Sequence, residues 1–139
     1  MILKVVTPEG RTFEGEKIKS ITLPTSSGVI TVMDEHVPLL SIITPGGIEI
    51  TTSDGEVHLL AVSRGVLEVR RNSIIDILAD TAERAEVIDI ERAEEAKKRA
   101  EEYLKKMEDI ADIEFARLQA KIQKELARIQ IGKKWKKLK

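Results

Sequence analysis

The chain has 139 residues, a net charge of −1 and no cysteine, so disulfides and thiolate metal sites are excluded. No apolar run approaches the roughly 18–20 residues that a bilayer-spanning helix needs, and Met1-Ile2-Leu3-Lys4 lacks the charged start and long apolar stretch of a signal peptide. Membrane association is therefore expected only through partners. The near-neutral total hides an asymmetry: residues 1–84 are net −4, residues 85–109 net −3 and residues 110–139 net +6. A basic arm on a mildly acidic body suits an acidic protein surface, a phosphate ligand or nucleic acid.

Residues 1–84 read as a series of short strands. Ile2–Val6 opens the chain and Pro8-Glu9-Gly10 turns it. Alternation over Ile18–Leu23 is followed by β-rich runs at Val29–Met33, Leu39–Ile43, Ile48–Thr51, Val57–Val62, Val66–Val69 and Ile74–Leu78. Turn residues separate them: Ser26-Ser27-Gly28, Pro45-Gly46-Gly47, Ser53-Asp54-Gly55, Arg64-Gly65 and Arg71-Asn72-Ser73. Asp54-Gly55 between two such runs signals a hairpin. Short strands at this spacing predict a sandwich or barrel rather than a parallel sheet. Val, Ile and Leu supply its core, and Phe13 is the sole aromatic in this half.

From residue 88 the period changes to about 3.6. Ala93, Ala96, Ala100, Tyr103, Leu104 and Met107 form one apolar stripe; Ala111, Phe115, Leu118, Ile122, Leu126 and Ile129 form a second. Asp89 is placed to cap the first helix, with Glu91 in its first turn. Met107–Asp112 interrupts the pattern, offering Asp109 or Asp112 as the next cap, and Gly132 is placed to end the second helix. The expected organisation is α+β: a β-sandwich over 1–86, an antiparallel two-helix hairpin over 87–131 and a basic tail over 132–139. The alanine seam buries little area, and isolated helices of about 20 residues are marginal in water. The hairpin should therefore depend on packing partners or a ligand.

Few residues suggest catalysis. Asp34-Glu35-His36 precedes Pro38 and reads as a solvated loop. A metal site needs three or more convergent ligands, and His58, the only other histidine, lies in an alternating strand. Neither GxxxxGK[ST] nor GxGxxG occurs. The basic residues carry more information. Arg92 and Arg99 are two helical turns apart, and Lys124 and Arg128 one, so each pair shares a face. An antiparallel hairpin can bring the pairs together, and guanidinium forks suit phosphate oxygens. Glu83 and Asp89 can accept from amino or hydroxyl groups of a nucleoside. From spacing alone, surface salt bridging is the plainer reading, since Glu95 and Glu102 stand near Arg99. Lys133–Lys139, with Trp135, reads as a frayed tail or a contact for an acidic protein rather than a nucleic-acid patch.

One segment is specific enough to go further. Leu78–Ala93, LADTAERAEVIDIERA, resembles the junction between sandwich and hairpin in the epsilon subunits of bacterial F-type ATP synthases. Gly28–Leu40, Thr44-Pro45-Gly46-Gly47 and Gly65–Val69 resemble further pieces of that family in the same order, and the likeness covers about residues 2–131. It implies a non-catalytic central-stalk subunit whose sandwich sits against the gamma subunit and the membrane ring, peripheral on the cytoplasmic face of the cell membrane. It also implies that the hairpin folds beside the sandwich or extends along gamma to the catalytic alpha and beta subunits, inhibiting ATP hydrolysis. In some bacterial members the compact hairpin binds ATP as a regulatory ligand through an I/L-D-x-x-R-A motif. That motif is present here as Ile88-Asp89-Ile90-Glu91-Arg92-Ala93. Glu83 and Arg99 match that site, and alignment at Phe115 adds Lys124 and Arg128. Such members usually carry arginine at both of the last two positions, so Lys124 offers a point charge in place of a fork. The resemblance implies no required cofactor, metal or nucleic acid. Rival readings are a free-standing ATP-sensing module, separable by co-purification with gamma, and a nucleic-acid-binding adaptor, which would show steeply salt-dependent affinity. A third, a hydrolase around His36, would need bound metal.

Overall fold

The computed structural model describes residues 1–107 and 111–138. Ten strands come first: β1 (Ile2–Thr7), β2 (Gly10–Gly15), β3 (Ile18–Thr25), β4 (Gly28–Met33), β5 (Leu39–Ile43), β6 (Gly46–Thr52), β7 (Val57–Val62), β8 (Gly65–Arg70), β9 (Ile74–Ala79) and β10 (Ala82–Arg84). A 3₁₀ turn at Ala85–Val87 leads to α1 (Ile90–Lys106) and then α2 (Asp112–Leu138). The sheet runs β10-β7-β6-β3-β5-β8-β9-β1-β2, with β4 paired to β3. All pairs are antiparallel except β1 with β9, where Leu3 lies opposite Ile75 and Val5 opposite Ile77. The two ends of this path approach one another: Thr12 Oγ1 donates to the Ala82 carbonyl at 3.4 Å and Arg84 Nε to the Thr12 carbonyl at 3.2 Å. The result is a nearly closed sandwich.

Alternation decides what faces inward. Leu3 and Val5, Ile21 and Leu23, Ile48 and Ile50, Leu67 and Val69, and Ile75 and Ile77 are buried in one cluster, each pair at the two-residue spacing of a strand face. Strand β7 breaks the alternation, because Leu59, Leu60, Ala61 and Val62 are all buried. Leu60 and Val62 enter the sandwich core. Leu59 and Ala61 point outward into a second cluster with Ala85 and Ile131, against which Ile88 and Trp135 pack. A continuous apolar run marks a strand covered on both faces, and here α2 is the cover. The Asp54-Gly55 turn joins β6 to β7 as expected; Gly55 sits at φ 90° and donates to Thr52 O at 3.0 Å.

Asp89 caps α1 as its sequence position predicts, accepting from Arg92 N at 3.1 Å. Of the α1 alanines, Ala93 and Ala100 are buried. The expected stripe on α2 is covered toward its C-terminal end, where Leu118, Ile122 and Leu126 are half-buried and Ile129 is buried, and burial extends beyond it to Glu125, Ala127, Ile131 and Gly132, while Phe115 stays half exposed. The reason is that α2 packs on α1 and also on β6 and β7, so no single face is its inside. Asp112 lies in the first turn of α2, and Asp109 lies outside the described residues. Gly132 does not end the helix, which continues to Leu138. A Cβ there would meet Ile90 Cγ1 at 2.8 Å, so this glycine serves the close approach of α1. The basic segment 133–138 is therefore helical. Lys134 Nζ reaches Glu49 Oε2 on β6 at 2.7 Å, and Trp135 packs on the second cluster.

Candidate functional site

Of the residues singled out in the sequence, Glu83 and Arg128 meet where β10 touches α2, and the others lie on the adjoining elements. Glu83 lies on β10, Ile88 follows the 3₁₀ turn, and Asp89 caps α1. Arg92, Ala93 and Arg99 lie on α1; Lys124 and Arg128 lie on α2. The junction between them is a guanidinium held by two carboxylates. Arg128 Nε and Nη2 donate to the two oxygens of Glu83 at 2.8 and 3.2 Å, and Arg128 Nη1 donates to Glu125 Oε2 at 2.8 Å. This bidentate fork is the strong form of the charge-assisted hydrogen bond, and it ties the sandwich to the hairpin across 45 residues of chain. Burial works against the Arg128 charge, but the hydrogen bonds it donates to Glu83 and Glu125 outweigh it, and the pKa is raised.

Helix geometry places the remaining cations. Glu94, Lys97 and Glu101 of α1 line one groove of the hairpin with Leu126, Ile129 and Lys133 of α2. Arg92 is two residues from Glu94 and Arg99 two from Lys97, which turns each about 200° around the helix axis. Arg128 is likewise two residues from Leu126. All three arginines therefore lie on the flank opposite that groove. Lys133 Nζ is 3.5 Å from Glu94 Oε1. Arg92 and Arg99 are exposed and Lys124 is half-buried. None of the three has a carboxylate partner among the described residues. The anticipated pairing of Arg99 with Glu95 or Glu102 is absent there, and Lys97 pairs with Glu101 instead at 2.9 Å. Ile88 packs near Gly132, and Ala93 is fully buried.

One member of this constellation escaped the sequence reading. Glu125 is only 5% exposed and is the sole acidic residue between Phe115 and Leu138. The signal was its position three residues before Arg128, on one helix face. Elsewhere, Asp34-Glu35-His36 is a loop in which Asp34 lies 3.7 Å from the N-terminal ammonium and His36 Nδ1 lies 2.7 Å from the Val37 carbonyl. Among the described residues no three His, Asp or Glu side chains converge as a metal site, and no helix is long and apolar enough to cross a membrane.

A nearly closed β-sandwich with a long-helix hairpin docked on its outer face is the architecture of the ATP synthase delta/epsilon chains. The model of that family's β-sandwich domain matches residues 1–85, and the model of its long alpha-helix domain matches residues 82–133. The chain belongs to this family, whose members are structural and regulatory rather than catalytic. Among its relatives are chains named ATP synthase epsilon chain. That of Clostridium novyi is 42% identical over 120 residues, covering 85% of this chain and 90% of its own. That of Dichelobacter nodosus is 37% identical over 125 residues, covering 90% and 86%. A chain in the Euglena gracilis mitochondrial ATP synthase superposes with a TM-score of 0.76 at 24% identity, over 94% of this chain and 78% of that one. A chain in the Tetrahymena thermophila mitochondrial ATP synthase central stalk and c-ring structure superposes at 0.64 with 13% identity, over 96% and 94%. At these identities the two solved structures speak to the fold.

Proposed function

We propose that this chain is an epsilon-type subunit of the ATP synthase central stalk whose hairpin is a nucleotide-gated brake. The sandwich is the anchor, set against the gamma subunit and the membrane ring, and it holds the chain peripherally on the cytoplasmic side of the membrane. The hairpin occupies two positions. Folded beside the sandwich, it leaves hydrolysis free. Extended along gamma, it presents the basic α2 to acidic surfaces of the catalytic subunits and inhibits.

ATP is the ligand proposed to hold the folded position. Arg92, Arg99 and Arg128 offer forks to the phosphates, and Lys124 adds a point charge. Glu83 and Asp89 accept from amino and hydroxyl groups, and Ile88 and Ala93 supply apolar contact. The nucleotide is proposed as a ligand that is bound and not turned over. The supporting observation is the Arg128–Glu83 fork: the guanidinium proposed to meet the phosphates lies at the contact between sandwich and hairpin. A ligand that binds only the folded form stabilises it by RT ln(1 + [ATP]/Kd), about 2.7 kcal/mol at one hundred times Kd. That is enough to move a nearly balanced two-state equilibrium. Calorimetric titration of the purified chain with ATP tests the site. One-to-one saturable binding that Arg92→Ala abolishes is the expected result. Absence of binding at millimolar ATP, or equal binding by the variant, would remove the nucleotide gate and leave the stalk role to be tested by co-purification with gamma.

A further inference from the structure

Glu125 sits inside the proposed site and opposes its purpose. Its carboxylate takes Arg128 Nη1, while Glu83 takes Nε and Nη2. Two carboxylates on one guanidinium leave the cluster at −1 before any ligand arrives. Stability does not account for Glu125. A buried ion pair is often no more stable than apolar residues of the same volume, and the neighbouring buried positions of α2 are filled by Ala127 and Ile129. The two acids also differ in freedom. Glu83 is about a third exposed (30%) and can turn toward a ligand amino group, whereas the Glu125 side chain is 6% exposed and locked one helical turn from its partner.

From this arrangement we infer that Glu125 is an internal competitor for Arg128: a fixed carboxylate that stands where a phosphate would bind and raises the ATP concentration at which the hairpin is held. The inference rests on the proposed ATP site and names what tunes it. When ATP enters, Glu83 is the acid that moves, and Glu125 continues to share Arg128 with the phosphates. The site is thereby tuned to a higher concentration range than its count of cations implies.

The test is calorimetry on the full chain and on Glu125→Gln, with ATP and with adenosine as probes. Glutamine keeps the shape and removes the charge. Replacing a carboxylate on a guanidinium with a neutral amide changes a charge-assisted bond into an ordinary one, so ATP should bind about tenfold more tightly to the variant. Adenosine, which has no phosphate, should bind both proteins equally. Circular dichroism establishes that the variant is folded, and Glu125→Met, which fills the same volume, is the second variant if it is not. Tighter ATP binding in the variant, including binding seen only there, supports the inference. Equal ATP affinity in two proteins that both bind overturns the role of Glu125 and leaves the site standing. An equal gain for ATP and adenosine assigns Glu125 to packing and overturns it as well. No ATP binding by either protein overturns the site itself.

Discussion

Replacing Arg128 with Met should undock the hairpin. The substitution keeps most of the aliphatic volume and removes the charge that serves both Glu83 and Glu125. Taking one partner from a buried ion pair costs about 3–5 kcal/mol, because the other charge is left uncompensated. Glu125, with a side chain 6% exposed, bears nearly that full cost. Glu83, at 30%, recovers part of its hydration, so its share is small. The net expectation is about 3 kcal/mol against the docked hairpin, roughly a hundredfold shift in the docked-to-undocked ratio. Trp135 is the only tryptophan and packs on the cluster formed by Leu59, Ala61, Ala85 and Ile131, so its emission reports docking directly. A denaturant titration followed at Trp135 should show an early hairpin transition in Arg128→Met that precedes sandwich unfolding. The double variant Arg128→Met/Glu125→Leu should regain most of the loss, because it removes the stranded charge along with its partner. A single variant within about 0.5 kcal/mol of wild type, or a double variant no better than the single, would refute the reasoning.

Three further outcomes are expected. Trp135→Ala should weaken docking by about 2 kcal/mol, below the 3–5 of a fully buried aromatic because this ring is half-buried; faster hydrogen exchange along α2, with the sandwich unchanged, is the measurement. Gly65→Ala should destabilise the sandwich, because a Cβ there would lie 2.2 Å from the Leu78 carbonyl oxygen and 2.8 Å from Ala79 Cα. Backbone cannot give way as a side chain can, so about 3 kcal/mol or more is expected by thermal unfolding. In acid the sandwich should lose stability below about pH 4. Hydrogen bonds from Thr52 hold the Asp54 carboxyl below its ordinary value, and those from Ser73, with the N-terminal ammonium, do the same for Asp34. The unfolded chain therefore binds protons first, and the stability present above the ordinary carboxylate value is lost as pH falls through the lowered ones. Asp54→Asn should flatten that acid slope in pH-dependent melts.

The strands were legible because alternation and turn residues agree. Those at Ile18–Leu23, Leu39–Ile43 and Ile74–Leu78 match β3, β5 and β9 to within two residues. Two strands went unnoticed. In β2, Gly10–Gly15, a single large apolar residue stands among charges and glycines, so no alternation shows. β10 spans three residues, too few to show any period. The α2 stripe was legible only in part. Leu118, Ile122 and Leu126 are half-buried and Ile129 is buried, but a helix packed on two sides also buries Glu125, Ala127, Ile131 and Gly132 off that stripe, while Phe115 near its start stays half exposed. Gly132 illustrates how local chemistry can be read two ways: glycine ends helices, but it also admits a neighbouring chain. Six of the eight candidate site residues, Glu83, Asp89, Arg92, Arg99, Lys124 and Arg128, were legible from spacing and charge, and the resemblance added Ile88 and Ala93. What spacing could not supply was the Arg128–Glu83 fork, since nothing local relates a short strand to a helix 45 residues later. Glu125 was missed because an acid one turn from an arginine on a basic helix reads as an ordinary surface pair.

The central claim is that the hairpin must leave the sandwich to inhibit, and a reversible lock tests it. A Cβ on Gly47 would lie 2.6 Å from Ile131 Cγ1, hence within about 4 Å of the Ile131 Cβ, inside the range a disulfide accepts. The chain has no other cysteine, so Gly47→Cys/Ile131→Cys gives one defined bridge holding α2 on β6. Hydrolysis should be measured on the assembled ATP synthase at low ATP, with the bridge oxidised and then reduced. The account predicts uninhibited hydrolysis while the bridge is closed and return of inhibition on reduction. Equal inhibition in both states would contradict it, because the hairpin would then be inhibiting from the docked position.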